Sequence, residues 1–160
     1  MAFARASVTI GRMLRLLAIA SVLTLTACKN PVERMRADAA ALAARTEHPA
    51  EKVKVTHILI SYKGAPRMEQ KKLTRSLSEA EKRAAEVYVR AQAGEDFPAL
   101  VKEFSDDSPE GTYDMTQQSR SGMVPAFGNV AWRLQVGEIG VAPNHSKDSP
   151  FGWHIIKRTE

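Results

Sequence analysis

The chain is poor in the residues that most often carry covalent or metal chemistry. Its 160 residues include one cysteine, Cys28, so no internal disulfide is available and no thiol nucleophile exists elsewhere. The four histidines, His48, His57, His145 and His154, lack metal-ligand pairing. No phosphate loop, nucleophile elbow, nucleic-acid motif, internal repeat or low-complexity tract is present. The run Asp106-Asp107-Ser108-Pro109-Glu110-Gly111 begins like a calcium loop, but Pro109 interrupts it and Gln117 stands at the twelfth position. The excess of positive charge is also thin. Of 23 Lys and Arg against 18 Asp and Glu, Arg5, Arg12 and Arg15 fall in residues 1–27, which hold no acid. Without them 20 cations face 18 anions, and nucleic-acid binding has no electrostatic basis. The length fits one domain with a tail.

What is present begins with a leader. A basic stretch over residues 1–15 precedes an apolar core from Leu14 to Leu25. That core is about 12 residues, too short to span a hydrocarbon layer of roughly 30 Å as a helix, and small residues follow it as signal processing requires. Leu25-Thr26-Ala27-Cys28 resembles the bacterial lipobox, which implies cleavage after residue 27 and lipidation of Cys28. A cysteine carrying two or three acyl chains holds a domain on a membrane durably. Lys29, in place of Asp, points by the same resemblance to the outer membrane. Residues 28–52 are Ala-rich and charged. The run Val32–Leu42 reads as a helix with a thin apolar face, a stalk ending near His48-Pro49.

The domain is expected over residues 53–160. Val53–Ile60 is β-branched and reads as a buried strand. A basic loop from Lys63 to Ser76 follows, and Ser78-Glu79-Ala80-Glu81 has the form of a capping box. The helix after it runs to about Ala93, with Ala80, Ala84, Val87, Tyr88 and Ala91 on one face and Gly94 as its stop. Asp96–Phe104 reads as a short second helix, Ser105–Thr116 as turns and Ala126–Leu134 as a third helix. Val136–Val141 and Trp153–Lys157 read as closing strands. The class is α+β.

Val55-Thr56-His57-Ile58-Leu59-Ile60, Phe104-Ser105-Asp106-Asp107, Gly122-Met123-Val124-Pro125-Ala126-Phe127, Gly137-Glu138-Ile139 and Ser149-Pro150-Phe151-Gly152-Trp153-His154-Ile155-Ile156 together resemble the parvulin family of peptidyl-prolyl isomerases. The resemblance implies a small four-stranded antiparallel sheet surrounded by about four helices, and a strand where Gly111–Gln117 stands. That strand departs from the family's glycine-rich pattern, with Met115 at the usual Leu position. The resemblance also implies a cofactor-free, metal-free enzyme acting on proline-containing unfolded or flexible polypeptides, monomeric and free of nucleic acid. A non-catalytic binding module is the alternative, favoured by the altered 111–117 segment.

Residue roles follow from the same resemblance. Met115, Met123 and Phe127 line the proline pocket; an adaptable thioether and a flat ring suit a saturated five-membered ring. His57 and His154 pair beneath Asp107, and Ser149 joins that network through its hydroxyl. Lys63 and Arg67 are candidates for contacting an acidic group beside the proline, since residues 51–75 hold seven Lys or Arg against two Glu. Without the resemblance, each of these residues has an ordinary reading as core, turn or solvated surface.

Overall fold

The computed structural model describes residues 30–160; the leader and Cys28 lie outside them. Helix α1 (Pro31–Ala43) opens on Asn30, whose side chain accepts from the Glu33 amide at 3.0 Å, with Pro31 in the first turn. After β1 (Lys52–Ile60), α2 (Leu77–Gln92) and α3 (Phe97–Phe104) follow in turn. Next come β2 (Thr112–Thr116), α4 (Gln117–Arg120) and α5 (Pro125–Arg133), and the chain closes with β3 (Ile139–Ala142) and β4 (Trp153–Arg158). The strands form one antiparallel sheet in the order β2-β1-β4-β3. The residues alone point to β1, β3 and β4 and to four of the five α-helices among the described residues; β2, within a stretch expected as turns, follows only from the family resemblance. The short α4 and the start of β3 differ, because Gly137 (φ +86°) turns the chain before Ile139.

Strand alternation divides the core. Ile58 and Ile60 of β1, Val141 of β3 and Trp153 and Ile155 of β4 pack under α1, α2 and α3. Val53 and Val55 of β1, Met115 of β2, Ala142 of β3 and Ile156 of β4 pack against Phe127, Val130, Ala131 and Trp132 of α5.

Two local expectations are corrected. The first concerns α1, expected as a stalk. It lies against α2 and β3, with Met35, Ala39 and Leu42 buried. Arg36 grips Glu81 through two bonds of 2.8 and 2.6 Å, and the Tyr88 hydroxyl donates to Asp38 at 3.0 Å. The thin alanine face is what permits close approach. Leu42 comes so near β3 that a Cβ on Gly140 would stand 2.4 Å from its Cδ2. The second concerns the capping box of α2. Ser76 and Glu79 form it, their bonds measuring 3.3 and 2.7 Å. Two overlapping Ser-x-x-Glu frames exist here, and the earlier one wins because it lengthens the helix and leaves Glu81 for Arg36.

Candidate active site

His57 lies on β1 just beyond the last β1–β2 pair, Thr56 with Thr112. Its amide donates to the Gly111 carbonyl at 2.7 Å. Only glycine fits at 111: its φ is +56°, and a Cβ would come 2.5 Å from the His57 carbonyl oxygen. Across the β1–β4 ladder, Leu59 faces His154, so the two imidazoles share one sheet face, a single pair apart. His57 Nδ1 and His154 Nδ1 are 3.3 Å apart, with the rings within 15° of parallel.

The other side of His57 meets the acidic turn after α3. Asp106 anchors that turn: both its carboxylate oxygens take bonds from Arg75, and it also accepts from the Ser61 amide at 2.8 Å. The Ser105 hydroxyl accepts from the Leu59 and Asp107 amides. With its neighbour fixed, Asp107 turns the other way, and its Oδ2 lies 3.1 Å from His57 Nε2 and 3.0 Å from the Tyr113 hydroxyl.

Charge settles the direction of these bonds. The hydrogen bond from His57, helped by that from Tyr113, holds the Asp107 carboxyl far below its ordinary range against the cost of its burial. Asp107 is therefore an acceptor at neutral pH, and His57 Nε2 and the Tyr113 hydroxyl donate to it. Burial, then the Asp107 charge, pushes Tyr113 up to about 12. Burial, reinforced by His57, pushes His154 down to about 3, so its ring is neutral. His57 Nδ1 faces His154 Nδ1, so one of these two nitrogens donates to the other, and His154 Nε2 is the remaining nitrogen of the pair. That atom is buried without a hydrogen-bond partner among the described residues.

Phe127, in the first turn of α5, stands edge-on to His57, His154 and Tyr113, its ring centre 5.1, 5.4 and 5.7 Å from theirs. These rings border a cavity of about 270 Å³, whose lining is completed by Leu59, Arg67, Met68, Met123, Val124 and Phe151. Apolar walls thus enclose a polar floor of fixed orientation.

Of the residues expected from sequence, His57, Asp107, His154, Met123, Phe127 and Arg67 border this one cavity. Three do not. Met115 is packed in the core with Val53, Phe127 and Trp132. The β2 register sets it opposite Val53 and sets Tyr113, two residues earlier on the same face, opposite Val55 and nearer His57. Tyr113 therefore takes the position at the site. Ser149 is fully buried, but its hydroxyl donates to the Gly152 carbonyl at 3.0 Å and braces the turn into β4. Lys63 is exposed, and its amide closes the base of the basic loop on the Arg75 carbonyl at 2.8 Å. Tyr113, Leu59 and the Arg75–Asp106 anchor had no assigned role in the sequence. Period-two alternation from Met115 was the one available signal for Tyr113.

A small antiparallel sheet with paired histidines under an acidic turn, walled by Met123 and Phe127, is the arrangement of a parvulin-type peptidyl-prolyl isomerase domain. Residues 40–160 match the model of the PPIC-type PPIase domain, and the chain belongs to that family. It is 31% identical over 116 residues to the foldase protein PrsA 4 of Bacillus cereus, covering 71% of this chain and 34% of that protein. It is 39% identical over 85 residues to the chaperone SurA of Pseudomonas aeruginosa, covering 52% and 19%. The chain thus spans only a fraction of the length of these relatives. In fold it is similar to the solution structure of TbPIN1, with a TM-score of 0.56 at 21% identity over 69% of this chain and 99% of that one. It is also similar to the peptidyl-prolyl isomerase ESS1 of Candida albicans, with a TM-score of 0.55 at 22% identity over 80% and 74%.

Proposed function

We propose that the cavity accelerates rotation about Xaa–Pro bonds of unfolded or flexible polypeptides without covalent chemistry. The observation that carries this reading is the union, in one cavity, of the apolar walls Met123 and Phe127 with the Asp107–His57–His154 chain. Rotation about a peptide bond has a barrier of about 18–20 kcal/mol, the energy of losing amide resonance. In the twisted state the carbonyl oxygen carries less negative charge and the nitrogen is more basic. A fixed anion such as Asp107 near the carbonyl disfavours the planar forms relative to the twisted one, and a drier site strengthens that effect. The histidines hold Asp107 charged and oriented, and no proton transfer is needed. A reduction of about 7 kcal/mol would give roughly a 10⁵-fold acceleration. Arg67, at the rim with its guanidinium 5.8 Å from the centre of the Phe151 ring, serves as the contact for an acidic residue before the proline.

The test is a coupled isomerisation assay on Xaa-Pro tetrapeptides with Xaa as Ala, Leu, Glu and phosphoserine. Acceleration by the chain that a Met123→Ala, Phe127→Ala double variant loses supports the isomerase. Folded chain with no effect on any peptide would leave a peptide-binding module instead.

We further propose that Cys28 is lipidated and holds the domain outside the cytoplasm, on the outer membrane, where it assists folding of secreted or envelope proteins. The leader pattern of residues 1–27 supports this, as do relatives named foldase and chaperone. Among the described residues no helix is long and apolar enough to cross a membrane. Because α1 starts at Pro31 and is packed on the domain, the chain from a lipid at Cys28 to that helix could reach at most about 10 Å, too little for a long stalk. Cys28→Ser should release the protein from the membrane fraction; a variant that stayed bound would sink the lipid reading.

A further inference from the structure

The segment between α1 and β1, residues 44–51, does not merely connect them. It crosses α5 as a strap. The His48 amide donates to the Trp132 carbonyl at 2.9 Å, and the Trp132 indole donates to the Ala50 carbonyl at 3.1 Å. Arg133 Nε donates to the Arg45 carbonyl at 2.9 Å. Between these ties Glu47 receives both arms of Arg120, at 2.7 and 2.6 Å. The same guanidinium donates to Asn129 Oδ1 at 2.6 Å and lies 4.9 Å from the centre of the Trp132 ring. It passes so close to α5 that a Cβ on Gly128 would stand 3.1 Å from its Cγ and 3.3 Å from its Nε. Such a planar, bidentate and stacked arrangement fixes the arginine in one orientation.

Arg120 is the last residue of α4, and its carbonyl accepts the Met123 amide at 3.0 Å. The turn that sets Met123 against the cavity is therefore closed on the backbone of the clamped residue. We propose that Arg120 is a positioning residue for the proline pocket, and that Glu47 of the strap, 73 residues away in sequence, sets its position. The chain ahead of the sheet thereby becomes part of the catalytic wall, and the state of the strap controls the grip on proline. This rests on the isomerase reading of the cavity.

The test uses the full chain as Glu47→Gln, Arg120→Gln and the double variant. Three quantities are followed: kcat/KM on an Ala-Pro peptide, the Met123 methyl resonance and Tm. Glu47→Gln keeps the shape of an accessible side chain, so folding is retained. Each single variant should lower kcat/KM about fivefold and shift the Met123 methyl. The double variant should be no worse than either single one, since one clamp is removed once. Variants that lower Tm but leave kcat/KM and the Met123 methyl as in the parent chain would overturn the proposal, and so would additive losses. A parent chain without turnover would sink the isomerase reading alone, because the methyl resonance still reports on the clamp.

Discussion

The two faces of the sheet use the same strands to opposite ends. Under α1–α3, Ile58, Ile60, Val141, Trp153 and Ile155 form a closed apolar core. On the other face Val53, Val55 and Ile156 are likewise apolar and lie under α5. They then give way to His57 and His154 where the cavity opens beside Phe127. Residues adjacent in sequence, such as His154 and Ile155, thus belong to different environments. The closed face provides stiffness and burial energy. The open face is where a polar chain is buried, and its cost is limited because His57 is bonded on both sides. Stability and chemistry are segregated by the period of the strand rather than by domain or loop.

The strongest way to break this partition is Ile155→Ala. It removes a fully buried side chain from the closed face and should lower unfolding stability by about 4 kcal/mol. Isomerase kcat/KM, measured well below Tm, should stay within about twofold. Loss of turnover in a folded Ile155→Ala chain would show that the faces are not independent. Next in size is an acid effect belonging to the open face. His154 is pushed down to about 3 in the folded protein, from an ordinary value near 6.5. Its neutral form is favoured by folding, so its contribution is complete above pH 6.5 and is lost as pH falls from there towards 3. Between pH 6.5 and 4.5 the loss should be about 2–3 kcal/mol. Asp107, also held low, adds to it only below about pH 4. Denaturation curves at these two pH values, for the parent chain and His154→Phe, measure the difference. An equal acid slope in both would remove His154 as its source.

The same partition explains what could be read in advance. The closed face was legible because β-branched residues and an alanine-lined helix carry the information locally: Val53–Ile60 gave a strand, whose Ile58 and Ile60 lie on that face, and Ala80, Ala84, Val87, Tyr88 and Ala91 gave the buried face of α2. The pairing of His57 with His154 and the existence of β2 came only through family resemblance, and the strand order was not foreseen, because all three depend on contacts between residues far apart in sequence. The failures have the same root. Met115 and Tyr113 have identical alternation, and only the β1–β2 register decides which lies beside His57. Ser149 has a hydroxyl suited to a network, but the local turn claims it first. The packing of α1 was hidden because alanines signal a weak face in isolation, and a close-packed one only when Gly140 lies opposite.

The smaller effects sharpen the division within the open face itself. Met123 is only half-buried, so Met123→Ala should cost little stability but lower kcat/KM about tenfold, near 1.4 kcal/mol of transition-state binding. A Met123→Ala chain with undiminished kcat/KM would remove Met123 from the proline wall. Arg67 should show a still narrower effect. It is exposed at the rim, held in a left-handed backbone conformation (φ 60°) and directed over Phe151, so it meets the cavity without supporting the fold. A solvent-screened cation of this kind contributes less than about 1 kcal/mol to an ion pair. Arg67→Ala should therefore lower turnover of a Glu-Pro peptide about threefold, leave an Ala-Pro peptide unchanged and leave Tm where it was. Added salt should erase the difference between the two peptides in the parent chain, because screening acts on exposed charge and hardly on the buried floor. Equal effects on both peptides would instead make Arg67 a steric part of the rim, and Lys63, which lies off the cavity, could not replace it as a reader of charge.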